Sequence, residues 1–278
     1  MKLQQALDYC VLVDNTELGT AWLAAELDTL FSNNSTFYCL SPMKNLGIAA
    51  AQNLALEHIY QNFSDRDYVV FFDQDSQVPL SLPRQLAQAF DRLNHFEPVA
   101  AVGPNLLDTQ KSFIYPQMKW SVCGMFRRFA PDLQQTEQKV AALISSGMLS
   151  KVARLKQVGE FDAGLFIDYV DIDWSLKAQS LGLSLYVIPK LSMIHSIGIK
   201  STRVLGRNLS LHSPQRRYYM LRNSIIMLKK HYVTRRLGLS FIYRTLIHHL
   251  IIITLEPGRA KQLHALIKGL KDGIKYKS

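Results

Sequence analysis

The chain is poor in cysteine, poor in long apolar runs and, towards its C-terminal end, poor in acid. Only three of its 278 residues are cysteines, Cys10, Cys39 and Cys123. They are odd in number, widely spaced and form no CxxC pair. That argues against a disulfide scaffold and a cysteine-based zinc site, and fits a reducing cytoplasm. No run of the ~18 apolar residues needed for a spanning helix occurs. The segment MKLQQALDYC is polar and lacks the apolar core of a signal peptide. What is present is globular: 48% of residues are hydrophobic and 19% charged. The length suits one large domain, or a domain with an appendage.

The scarcity of acid is local. From Lys200 onward, 17 Lys and Arg stand against Glu256 and Asp272, a net of +15. The first 199 residues hold the other 15 basic and 20 acidic side chains, a net of −5. The overall charge of +10 therefore belongs to the C-terminal region, and implies an anionic partner for that region, lipid ahead of nucleic acid.

The first 200 residues alternate strand-like and helix-like patterns. Tyr9 to Val13 is a short apolar run ending at Asp14-Asn15, followed by a helical pattern through Trp22, Leu23, Leu27 and Leu30. Thr36 to Leu40 is a second strand, and Asn45-Leu46-Gly47 turns into a helix over Ile48 to Tyr60. Asp67 to Phe72 is apolar on both faces, as a buried parallel strand is. Pro83 opens another helix, and Val99 to Val102 is a strand closed by Gly103-Pro104. This βαβα order predicts an α/β fold with a doubly wound, mostly parallel sheet, whose ligands bind beyond the carboxyl ends of the strands. Asp108 to Gln138 shows no clear period and reads as an excursion near the site.

Two acidic clusters can carry chemistry. Asp73-Gln74-Asp75 follows the buried strand, and two carboxylates on such a turn can hold a hard divalent cation shared with phosphates. Solvated turn aspartates, or a phosphatase of the haloacid-dehalogenase type with Asp73 as nucleophile, fit the same residues. Asp168, Asp171 and Asp173 crowd the predicted start of a helix that stops at Gly182. The helix dipole stabilises any one of them by about 0.3–1 kcal/mol, but three so close, beside Tyr169 and Trp174, raise one another's pKa, as suits a general base. His195 follows a strand-like run and is a credible nitrogen ligand for the same cation.

From Arg216 to Arg236, Tyr218, Leu221, Ile225, Leu228 and Tyr232 recur at helical intervals among Arg and Lys. Leu237 to Leu255 is more apolar, but Arg244, His248 and His249 argue for an interfacial helix or a packed lid rather than a spanning one.

Asn45-x-Gly47 with Asn53, FFDQDS, ISSGMLS (Ile144 to Ser150), FDAGLFIDYVDIDWSLKAQSLG, His195-Ser196-Ile197-Gly198 and RRYYMLRNSI (Arg216 to Ile225) occur together and in order. In this the chain resembles the bacterial inverting glycosyltransferases of GT-A family 2, and within them the rhamnosyltransferases of O-antigen and capsule assembly. The resemblance implies a GT-A domain over 1–205 and a basic helical region over 206–278. It implies transfer of a sugar, L-rhamnose from dTDP-L-rhamnose, to a lipid-linked saccharide at the cytoplasmic face of the membrane, with no nucleic-acid partner. Mg²⁺ or Mn²⁺ would be the cofactor. Asp171 would be the base, Asp75 and His195 metal ligands, and Asp73 part of the sugar-nucleotide motif. Asp14, Asn45, Gly47 and Asn53 would lie on the nucleotide side, and Gly147 near a sugar. The resemblance also implies a further strand and helix ahead of Asp8, central to the sheet, whose lack would leave this chain poorly stable and weakly active or inactive. A non-enzymatic basic binding module is the remaining alternative.

Overall fold

The structure, a computed structural model, describes residues 7–17, 36–108, 113–195, 201–204, 207–210, 212–255 and 258–277, with backbone alone at 195, 201–204, 207–210 and 255. The helix expected through Trp22 to Leu30, and Ser196 to Gly198, lie outside the described residues.

Strands β1 (Cys10–Val13) and β2 (Phe37–Leu40) pair in parallel, Cys10 opposite Phe37 and Val13 opposite Leu40. Helix α1 (Ile48–Asn62) packs Ala49, Ala51 and Leu56 inward. The main sheet contains seven strands. Its path runs from β3 (Tyr68–Val70) through β10 (Leu149–Lys151), β5 (Val99–Asp108) and β11 (Ser184–His195) to β4 (Ser76–Gln77). Two short strands, β6 (Phe113–Ile114) and β9 (Gln138–Lys139), attach to β5 and β11. Among the described residues no ladder joins the β1–β2 pair to this sheet.

The α/β class and the alternation are as expected, but the sheet is mixed rather than mostly parallel. β5 and β11 are parallel, whereas β10 enters antiparallel to both β3 and β5. The cause is local. The chain turns back at Gly147 (φ 82°), whose N–H donates to Phe71 O at 2.7 Å, and returns between the two strands. A second difference concerns Gly103-Pro104, which does not close β5. The strand runs on to Asp108, with Pro104 in register with Ile188. A register shift between Ile188 and Ser192 absorbs the prolines, and the buried Asn105 amide donates to Pro189 O at 2.7 Å.

Helices cover both faces. On one, α2 (Leu82–Asn94) takes Pro83 in its first turn and buries Leu82, Leu86, Ala89, Phe90 and Leu93, a helical stripe. Each such large side chain contributes about 1.5–3 kcal/mol on burial. On the other face lie α1, α3 (Val152–Val158) and α4 (Val170–Ser180), with Trp174 fully buried on Phe161. Gly182, at φ 77°, follows the end of α4 as expected.

The excursion folds as a hairpin, β7 (Gln117–Trp120) and β8 (Phe126–Phe129), Trp120 opposite Phe126. Strands β12 (Ser201–Val204) and β13 (Arg207–Ser210) form another pair. Three helices follow: α5 (Pro214–Lys229), α6 (Arg235–Leu255) and α7 (Arg259–Lys275). Helix α5 belongs to the body of the molecule, since Ile226 is fully buried in the core beside α1 and α4. Helix α7 lies close on α5: a Cβ at Gly269 would meet Tyr218 O at 2.7 Å and one at Gly273 would meet Arg222 O at 3.0 Å. Phe241 of α6 packs on Phe126 of the hairpin.

Candidate functional site

The acids collect where the strand order predicts, beyond the carboxyl ends of β1 and β3. Past β3, Phe71 is held by Met148 O and the turn closes with Ser76 N–H donating to Asp73 O at 3.1 Å. Asp73 is half-buried and Asp75 exposed. The Asp73 N–H donates to Ser146 Oγ at 3.4 Å, and Ser146 Oγ lies 2.8 Å from Ser76 Oγ. The ISSGM turn is thereby fastened to the acidic turn. Gly147 sits at its centre with φ 82°, and an added Cβ would come within 2.8 Å of Pro104.

Asp171 faces this turn from the first turn of α4. Its Oδ1 is out of solvent contact and has no hydrogen-bond partner. Burial raises its pKa to about 6, and the charges of Asp73 and Asp168 push the same way against the N–H and hydroxyl of Ser145, which draw it down. The other two acids of the cluster are engaged. Asp168 accepts from Arg216 Nη2 at 2.9 Å and Nε at 3.2 Å. Asp173 is buried, accepts from Tyr232 Oη at 2.7 Å and lies 4.0 Å from Lys230 Nζ. Of the three acids, Asp171 is the one with a buried carboxylate oxygen left without a partner.

His195 is the last residue of β11 and stands in register with Ser76, next in the chain to Asp75. Its side chain is outside the described residues. Among the described residues no three His, Cys, Asp or Glu side chains form a metal cage. Two turn carboxylates with a histidine backbone one register step away fit an oxygen-rich site completed by phosphate oxygens, rather than a closed protein site.

Just past β1, Asp14 is buried and accepts from the Thr16 hydroxyl at 2.8 Å. Asn15 Oδ1 accepts from Leu46 N–H at 2.7 Å, and Asn45 Oδ1 from Gly47 N–H at 2.9 Å. Gly47 has φ 77°, and an added Cβ would lie 2.6 Å from Phe166 O, so only glycine fits where this turn meets the acidic loop. Ile48 N–H donates to that same Phe166 O at 2.7 Å. Asn53 is committed to the fold: its amide donates to Phe161 O at 2.8 Å and accepts from Phe161 N–H at 2.9 Å.

The structure therefore joins Asp73, Gly147 and Asp171, and separately joins Asp14, Asn45 and Gly47 through Asn15. Ser145, Ser146 and Asn15 carry the connections; each was visible only as a polar residue in a turn.

No protein-family model matches the chain. It is 31% identical over 275 residues to the dTDP-rhamnosyl transferase RfbF of Shigella flexneri, covering 99% of this chain and 88% of that one. Its fold is similar to that of Staphylococcus aureus TarS 1–349 in complex with UDP, with a TM-score of 0.53 and 17% identity over 96% of this chain and 71% of that one. It is likewise similar to GalNAc-T7 with UDP, GalNAc and Mn²⁺, with a TM-score of 0.54 and 13% identity over 80% of this chain and 45% of that one. This chain thus spans under half the length of GalNAc-T7.

Proposed function

Because the chain belongs to the dTDP-rhamnosyl transferase family and has the GT-A glycosyltransferase fold, we propose that it moves L-rhamnose from dTDP-L-rhamnose onto a hydroxyl of a lipid-linked saccharide, in O-antigen or another cell-surface polysaccharide. The observation that carries the mechanism is the Asp171 carboxylate, buried on one oxygen, unpartnered there and shifted to about 6. Asp171 takes the proton of the acceptor hydroxyl as its oxygen attacks the anomeric carbon from the face opposite the leaving diphosphate, so the configuration inverts. Asp14, Asn45 and Gly47 line the side that receives the nucleoside. Asn53 serves that side indirectly by pinning Phe161. Gly147 leaves room for a sugar beside Asp73.

Asp73, Asp75 and His195 would hold Mg²⁺ or Mn²⁺ together with the donor diphosphate, and the cation would neutralise charge on the departing phosphate. A carboxylate that holds the leaving diphosphate's cation cannot also act on the opposite face of the sugar, which is why a separate acid on α4 would be the base.

The working place we propose is the cytoplasmic surface of the membrane. Helix α7 exposes Leu263, Ile267, Leu270 and Ile274 at helical spacing beside Lys261, Lys268, Lys271 and Lys275. Helix α6 exposes Leu239, Tyr243, Leu246, Ile247, Leu250 and Ile251. By length and composition Arg235–Thr254 is apolar enough to cross a membrane, with a third of its most apolar window buried inside this chain. Apolar stripes flanked by lysine and partly covered by protein suit a helix lying in the interface.

The test of the reaction is Asp171→Asn. Transfer from dTDP-L-rhamnose to a lipid-linked acceptor should fall at least about 100-fold, while donor affinity measured by calorimetry stays within about twofold. Near-normal turnover would remove Asp171 as the base.

A further inference from the structure

The loop that delivers Asp171 is built in a conformation its own residues disfavour. Phe166, Asp168 and Tyr169 have φ of 64°, 62° and 66°, and none is glycine. A left-handed backbone costs an L-residue about 1–2 kcal/mol each, so three in four positions persist only where the surroundings over-determine them.

Those surroundings are one face of α5. Asn223 is fully buried, and its Nδ2 donates to Leu165 O at 2.7 Å, Ile167 O at 2.7 Å and Asp168 O at 3.2 Å. Arg216 grips the Asp168 carboxylate through Nε and Nη2. Between them Tyr219 stacks on Phe166, ring centroids 4.8 Å apart and planes 11° apart. Positions 216, 219 and 223 follow the i, i+3, i+7 spacing of a single helix face. Each meets a different part of the same loop: a carboxylate, a ring and three carbonyls. Tyr169 then caps α4, and Asp171 lies in its first turn.

We infer that Arg216, Tyr219 and Asn223 are positioning residues, which hold the Phe166–Tyr169 loop in shape and so fix where the Asp171 carboxylate points. The inference rests on Asp171 acting as the base. In the sequence the RRYYMLRN stretch reads as an amphipathic basic helix; here Arg216, Tyr219 and Asn223 face inward, onto the loop ahead of Asp171.

The experiment compares Arg216→Gln and Arg216→Lys in the full chain, with Asn223→Asp as a third variant. Arg216 is about a third exposed on its side chain, so its variants are expected to fold. Arg216→Gln should lower kcat by about 10–100-fold, the scale of a misplaced reacting group, with donor Kd within about twofold. Arg216→Lys, which keeps the charge and one donor, should recover part of the loss. Amide hydrogen exchange over 165–170 should quicken in Arg216→Gln and Asn223→Asp. An unchanged kcat in folded Arg216→Gln, a loss of donor affinity equal to the loss of kcat, or unaltered exchange in that loop each overturns the clamp. Failure of the base assignment looks different: Asp171→Asn would then keep its turnover while loop exchange in the Arg216 variants still quickened.

Discussion

Asp171 is held charged at some cost to the fold, and the sign can be worked through. Its folded pKa, about 6, lies above the carboxyl's ordinary value of 3.8. Between those values the native state binds the proton more tightly than the unfolded chain, so stability falls as pH rises through that window. Asp171→Asn should therefore raise the melting temperature at pH 8 and change it little at pH 4. A scan of melting temperature against pH for both proteins checks this, and equal differences at the two pH values would contradict it. The same ionisation sets activity, which should rise towards a plateau above about pH 6. At this scale the sequence was partly legible. Asp73, Asp75 and Asp171 stood out because acids beside apolar runs are unusual. It was not legible that Asp168 and Asp173 were tied up by basic and tyrosine side chains and Asp171 was not, because the partners, Arg216 for Asp168 and Tyr232 for Asp173, lie 48 and 59 residues further along the chain. The phosphatase reading of Asp73 does not survive, since the chain is a glycosyltransferase and Asp73 follows the third described strand rather than the first.

Among the elements, those with a clear period were legible and those that break rules were not. α1, α2 and α4 follow from their apolar spacing and from Gly47, Pro83 and Gly182, each of which marks one end. β5 and β11 run through Pro104 and Pro189, which local chemistry marks as stops. A register shift and the Asn105 amide make up for the missing donors, and only long-range pairing supplies them. The β7–β8 hairpin gave no periodic signal because β8 reads Phe-Arg-Arg-Phe, which breaks the alternation a strand shows. Helices α6 and α7 carry the membrane prediction. Ile267→Glu together with Leu270→Glu, both on the exposed stripe of α7, should release the protein from vesicles containing anionic lipid. Each replaced side chain forfeits up to about 1.5–3 kcal/mol of apolar burial. Co-sedimentation with vesicles measures this, and unchanged binding by the double variant would assign the stripe to some other contact.

For the whole molecule, charge is segregated: the region after residue 199 is at +15 and the rest at −5. Binding to anionic vesicles should accordingly weaken as salt rises, since the Debye length shrinks from about 10 Å at 0.1 M to 3 Å at 1 M. The proposed metal dependence also belongs to this scale, because Asp73 and Asp75 stand on the turn after β3 and His195 ends β11, which pairs there with Ser76. Addition of EDTA should abolish the thermal stabilisation given by dTDP-L-rhamnose, and Mn²⁺ or Mg²⁺ should restore it. A donor present at 100 times its Kd stabilises by about 2.7 kcal/mol, well within reach of a melting experiment. Stabilisation indifferent to EDTA would mean that the donor phosphates are bound without a cation.

The distance in sequence between the acidic loop and the amide that shapes it also sets an order of events during synthesis. Asn223 is 55 residues beyond Asp168. A nascent chain that has emerged only as far as α4 already contains Asp14, Asp73, Asp75 and Asp171. It has the Ile48 N–H on Phe166 O but lacks Arg216, Tyr219 and Asn223, which meet the positive-φ loop from α5. On the proposal above, competence therefore arrives late, when α5 emerges and docks, and a message cut short between the end of α4 and residue 223 should yield a protein with all four of these acids and little activity.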